Sequence, residues 1–164
     1  MLTLRPTLEL ARKLKLAELE DLPLSDRCLT DWCVRPFRAG RWSFLIFTEA
    51  LTLYSIIVPQ RGITTPAKLR QAFAATVHDH FQGPAIGSAH VSSILLALSD
   101  CHFSRCRDRR VLGSINDLVW GAQCDIEAGE SLATTNERIN ETPLSHLGMD
   151  SPDRRLKAAL SPDP

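Results

Sequence analysis

The densest chemistry in the chain lies at 104–118, Ser104-Arg105-Cys106-Arg107-Asp108-Arg109-Arg110-Val111-Leu112-Gly113-Ser114-Ile115-Asn116-Asp117-Leu118. Arg105, Arg107, Arg109 and Arg110 cluster just before a helical pattern, broken only by Asp108. Guanidinium groups at a helix N-terminus can take phosphates. Along the helix, Arg110, Ser114, Asp117 and Gly121 recur at helical spacing, with Gly113 and Asn116 beside them. Small residues there admit a partner's backbone, while Arg110 and Asp117 supply charge and Ser114 and Asn116 supply hydrogen bonds. Arg109, Arg110, Ser114, Asn116 and Asp117 are therefore the candidate binding residues.

Two other readings compete with that one. In the first, Gly113 and Gly121 pack closely on a sheet, and Arg110 and Ser114 join an internal polar network with Asp31 or Asn140. A helical glycine costs about 1 kcal/mol against alanine, so a packing or functional reason is expected. In the second, Asp31, Arg110, Asn116 and Asp117 surround a polar pocket and serve a small hydrolase or nuclease. That requires convergence, which spacing alone does not supply. The arginine cluster also has a plainer reading as a solvated charged face. Its nearest aromatic is Phe103, a poor stacking platform for single-stranded nucleic acid, so a protein partner is favoured over nucleic acid.

Other reactive residues carry weaker signals. Cys28-x4-Cys33 and Cys101-x4-Cys106, with His102, invite a zinc reading, but structural zinc usually uses closer pairs in turns. Cys28 and Cys33 also differ in strand parity and would face opposite ways. In His78-Asp79-His80 the two histidines cannot share a helix face, and no nucleophile pairs with either by sequence. There is no nucleotide-binding glycine loop, nucleophile elbow or helical zinc-protease motif. The expectation is no cofactor, no metal and no assignable catalytic residue.

The bulk properties narrow the setting. The chain has 164 residues, enough for one domain with a real core. Lys plus Arg and Asp plus Glu are 19 each, so no global field draws nucleic acid or anionic membrane. No stretch is apolar enough for a membrane span, and 1–6 has no secretory h-region. Five cysteines, an odd count, argue against a disulfide framework. These features suggest a cytoplasmic protein of free, mostly buried thiols. Aromatics such as Trp120 could serve a homo-oligomer interface.

The elements that must position these residues follow from local patterns. A strand at 2–5 precedes a helix at 8–16, capped by Thr7. Strands at 29–37, 42–48 and 51–58, joined by short links, predict an antiparallel meander with the most apolar strand in the middle. Thr65-Pro66 opens a helix to about 81 that places Leu69, Phe73, Val77 and Phe81 on one face. Gly83-Pro84 stops it, and a helix at 88–98 and a short strand at 100–104 follow. The helix at 109–124 is the cleanest, with Val111, Leu112, Ile115, Leu118, Val119 and Ala122 on one side. A weaker helix at 131–140 ends before Pro143, and a short one is possible at 153–160. The reading is an α+β domain at 1–150: the 29–58 meander plus the N-terminal strand form an antiparallel sheet, packed by about five helices mainly on one face. Residues 151–164 read as a proline-containing tail.

Four segments together resemble a family of small bacterial proteins known only as a domain of unknown function. They are 4–15; Asp31-Trp32 through Arg41, Phe47-Thr48, Thr52-Leu53-Tyr54 and Val58-Pro59; the run Arg110-Val111-Leu112-Gly113-Ser114-Ile115-Asn116-Asp117-Leu118; and 132–152, with Asn140-Glu141-Thr142-Pro143. The third is the most specific. The resemblance implies a shared α+β domain in a bacterial or mobile-element setting, and it attaches no activity. At Cys33, and around Cys106 to Asp108, this chain departs from the pattern the resemblance implies. No family-wide role for those cysteines follows from it.

Overall fold

A computed structural model describes residues 1–82 and 86–161; the expected stop at Gly83-Pro84 and the prolines at 162 and 164 lie outside them. The strands are β1 (Leu2–Pro6), β2 (Asp31–Ala39), β3 (Trp42–Glu49), β4 (Ser55–Pro59) and β5 (Cys101–Phe103). The helices are α1 (Leu8–Lys13), α2 (Pro66–His80), α3 (Ser88–Ala97), α4 (Arg109–Glu127), α5 (Leu132–Glu141) and α6 (Pro152–Leu160). All strands join one sheet in the order β4-β3-β2-β1-β5.

The meander β2-β3-β4 is antiparallel, as its short links require. The rest of the sheet is not. β1 runs parallel to both β2 and β5, so the sheet is mixed, a correction to the antiparallel expectation. The reason is the connection: α1 and the long segment after it carry the chain back to the starting end before β2 begins, and such a crossover gives a parallel neighbour. β1 is buried along its whole length, as an interior parallel strand is.

A second correction concerns layers, because helices cover both faces of the sheet. On β2, Trp32 and Val34 point one way and Cys33 and Phe37 the other; on β3, Leu45 and Phe47 oppose Phe44 and Ile46. The first face packs on Leu10 of α1, Leu69, Phe73 and Val77 of α2, Ile94 of α3 and Leu156 of α6. Phe73 sits edge-on to Trp32, with centroids 5.3 Å apart, and 5.4 Å from Phe47. The second face packs on Val111, Ile115, Leu118 and Ala122 of α4 and Ile139 of α5.

Helix starts follow their capping residues. Thr7, Thr65, Ser131 and Ser151 each accept a first-turn N–H, and Asp108 accepts from Arg110 N and Val111 N. The β3–β4 turn is organised by Glu49, whose buried carboxylate accepts from Leu29 N, Leu51 N, Thr52 N and Thr52 Oγ1. Burial pushes the Glu49 carboxyl above the usual range, against the donors that favour its ionised form.

Candidate functional site

α4 brings the predicted binding residues together. Its buried side is Val111, Ser114, Ile115, Leu118, Val119 and Ala122, and its outer side exposes Arg109, Arg110, Gly113, Asn116, Asp117 and Trp120. Arg109, Arg110, Ser114, Asn116 and Asp117 all line one open depression of about 530 Å³, closed at its edge by Ser145 and His146. Asp108 caps the helix at 2.8 Å from Arg110 N, so the arginines at 109 and 110 stand on its positive end. Among the described residues no ion pair engages Arg109, Arg110 or Asp117.

The individual roles divide. Ser114 is nearly closed off and donates its hydroxyl to Arg110 O at 3.0 Å, so it shapes the helix wall more than it meets solvent. Asn116 accepts at Oδ1 from Arg35 Nη1 of β2, which brings a further guanidinium to this face. The arginine cluster is split: Arg107 turns away to Asp21 at 3.1 Å, leaving Arg109 and Arg110 at the depression. Trp120, 71% exposed, continues the same outer face one turn beyond Asn116 and Asp117. Trp42 is also exposed, with the Arg41 guanidinium 4.9 Å above its ring, whereas Trp32 is in the core.

The glycines of α4 are not there for close packing. A Cβ built on Gly113 or Gly121 meets nothing within 4 Å. Gly113→Ala and Gly121→Ala are each expected to raise stability by about 0.5–1 kcal/mol, by restoring helix propensity at no steric cost. Urea unfolding of the two variants checks this; a loss of stability in either would mean that the helix needs its glycine.

Asp31 belongs elsewhere. It is fully buried and closed by Arg5, whose Nε and Nη2 donate to Oδ1 and Oδ2 at 2.6 and 2.8 Å. Arg5 also donates to Leu22 O, Pro23 O, Arg105 O and Ser104 Oγ, and Ser25 N donates to Asp31. Asp31 borders a different cleft, with Leu22 and Pro23, so the set Asp31, Arg110, Asn116 and Asp117 is not assembled. Nor does Asn140 meet Arg110 or Ser114: its amide pairs with the backbone of Ser55.

The remaining candidates also resolve. Cys33 does not approach Cys28; its Sγ lies 2.9 Å from that of Cys106. Among the described residues no group of three His, Cys, Asp or Glu side chains is placed to hold a metal ion. His80 Nε2 is 2.7 Å from the Tyr54 hydroxyl, and burial pushes its pKa down. His78 is exposed against Asp79. His102 sits between Glu20 and Asp100, which hold its pKa up. None of the three lines the α4 depression.

Sequence reasoning missed Arg35, Ser145 and His146, and it missed a larger apolar groove of about 880 Å³ flanked by Trp42, Phe44, Pro59 and Ile63. A helical repeat marks residues on one helix, but nothing local marks a strand or turn residue that folding brings beside it. No helix among the described residues is long and apolar enough to cross a membrane.

A comparison with curated proteins finds no match. The sequence profile of one family, described as a domain of unknown function (DUF6933), matches residues 3–155, from β1 into α6. With almost the whole fold inside that match, α4 depression included, the chain belongs to this family.

Proposed function

We propose that the protein is a non-enzymatic binding or regulatory module that docks a protein partner on the outer face of α4. The observation that carries this reading is Trp120, 71% exposed on the face that also presents Arg109, Arg110, Asn116 and Asp117. Tryptophan and arginine dominate the energetics of protein interfaces, and here they share one helix face. The charges define the partner: carboxylates opposite Arg109 and Arg110, a donor for Asp117, and an apolar recess for the indole. Nucleic acid fits less well, because Asp117 stands in the depression and the chain has no net charge. Free thiols at Cys28, Cys33, Cys101, Cys106 and Cys124 suit a reducing compartment, so we place the module in a bacterial cytoplasm.

The test is quantitative capture from a bacterial lysate, with nuclease treatment, comparing wild type with Trp120→Ala, Arg110→Glu and the remote control Leu96→Ala. The expected result is one protein retained by wild type and by Leu96→Ala. Trp120→Ala and Arg110→Glu should weaken it by about 30-fold or more while melting like wild type. Equal retention by all four proteins, or capture abolished by nuclease, refutes the reading. Concentration-dependent sedimentation abolished by Trp120→Ala would instead make a second copy of the chain the occupant, and would overturn the heterologous partner.

A further inference from the structure

We propose that Cys33 and Cys106 form a peroxide-reactive dithiol site that closes to an intramolecular disulfide. The two residues are 73 positions apart, yet their Sγ atoms lie 2.9 Å from each other. Both ends of the pair are held by backbone structure. Cys33 sits within β2, in register with Arg5 on β1. The segment leading to Cys106 is pinned by Ser104 N to Leu4 O at 3.0 Å and by Arg5 Nη1 to Arg105 O at 2.9 Å. The sulfurs are thus held together by the fold and not by a chance meeting of mobile side chains.

The two thiols are not equivalent. Cys33 is 2% exposed, whereas Cys106 is partly open to solvent. The hydrogen bond with Cys33 and the positive charge of Arg5 favour the Cys106 thiolate, while the same hydrogen bond and burial push the Cys33 thiol up. Cys106 is thus the attacking sulfur and Cys33 the resolving one.

The oxidant is hydrogen peroxide or an alkyl hydroperoxide. The Cys106 thiolate attacks one peroxide oxygen, the O–O bond breaks, and hydroxide (or alkoxide) leaves and is protonated by solvent, giving Cys106 sulfenic acid. Cys33 Sγ then attacks Cys106 Sγ, the S–O bond breaks, and the departing hydroxide takes the Cys33 proton as water. The two sulfurs together give up the two electrons that reduce the peroxide, and a thiol reductant reverses the change. Cys124, exposed on α4, is the internal comparison: a thiol more open than Cys106, without this surrounding.

The experiment uses the reduced full chain, freed of reductant and titrated with hydrogen peroxide. The expected product is about 2 Da lighter, carries a linked Cys33–Cys106 peptide pair, and regains its mass in dithiothreitol. Cys33→Ser should stop at a Cys106 sulfenic acid trapped by dimedone, and Cys106→Ser should abolish the fast consumption of peroxide. Cys106 should react at least about tenfold faster than Cys124. Should Cys33→Ser fail to fold, peptide mapping of wild type and Cys106→Ser decides alone. Cys124 oxidised first, links scrambled with Cys28 or Cys101, or the two thiols unchanged at excess peroxide would each overturn the proposal. None of these outcomes depends on a partner at α4.

Discussion

Arg5→Met is expected to destabilise the fold by about 3–5 kcal/mol. The substitution leaves the Asp31 carboxylate buried at 0% exposure with its cation gone. It also strips donors from Leu22 O, Pro23 O and Arg105 O, the three carbonyls through which Arg5 ties 20–25 and 104–106 to the sheet. A pair in water would lose almost nothing, but Arg5 is 3% exposed, and an orphaned charge there has no solvent to turn to. Guanidinium denaturation checks the value. The double variant Arg5→Met/Asp31→Leu should recover part of the loss, since removing both charges removes the desolvation cost with them. A loss under about 1 kcal/mol for Arg5→Met would mean that water reaches the pair. The pair also explains why a charged residue occurs in β1 and an aspartate begins β2: they form a clamp between parallel neighbours.

Much of the fold was legible because its signals are local. The apolar repeats of α2 and α4, the threonine and serine caps, and the three strands with short links are each decided within a few residues. What failed was non-local. The pairing of β1 with β2 and β5 depends on where a long crossover returns the chain, and no residue in Leu2–Pro6 records it. The two-faced sheet was hidden because β2 is buried on both sides: with Trp32, Cys33 and Val34 all inside, the polar alternation that marks a one-sided sheet is lost.

The site shows the same division. Arg109, Arg110, Ser114, Asn116 and Asp117 share a depression because one helix places them by its own periodicity. Asp31 and Asn140 had no such link to α4, and each proved to have a partner of its own. Likewise, the spacing within Cys28-x4-Cys33 was the wrong place to look; the contact of Cys33 is across the fold, at Cys106.

Asn136→Ala combined with Asn140→Ala is expected to cost about 2–5 kcal/mol and to promote association through β4. β4 is an edge strand, paired on one side by β3 alone. Its outward groups are met by α5 instead of a further strand. Asn140 Oδ1 accepts from Ser55 N at 2.8 Å, and its Nδ2 donates to Ser55 O at 2.7 Å. Asn136 repeats the pattern on Ile57, accepting from the N–H at 2.8 Å and donating more weakly to the carbonyl at 3.4 Å. The match is geometric. Residues one helical turn apart rise about 6 Å along a helix, and alternate residues of a strand rise about 6.7 Å, so two amides on one helix reach two successive outward positions. All four polar atoms are in a buried setting, and alanine at both sites leaves Ser55 and Ile57 with unpaired groups that water reaches poorly. Aspartate at either position would supply the acceptor and not the donor, so Asn140→Asp should lose part of the stability and confront Ser55 O with a carboxylate. Urea unfolding measures the cost, and light scattering of the folded double variant measures the freed edge. Full stability with no association would show that α5 packs on β4 through Ile139 and its neighbours alone; lost stability together with new association would show that two asparagines take the place of a missing strand.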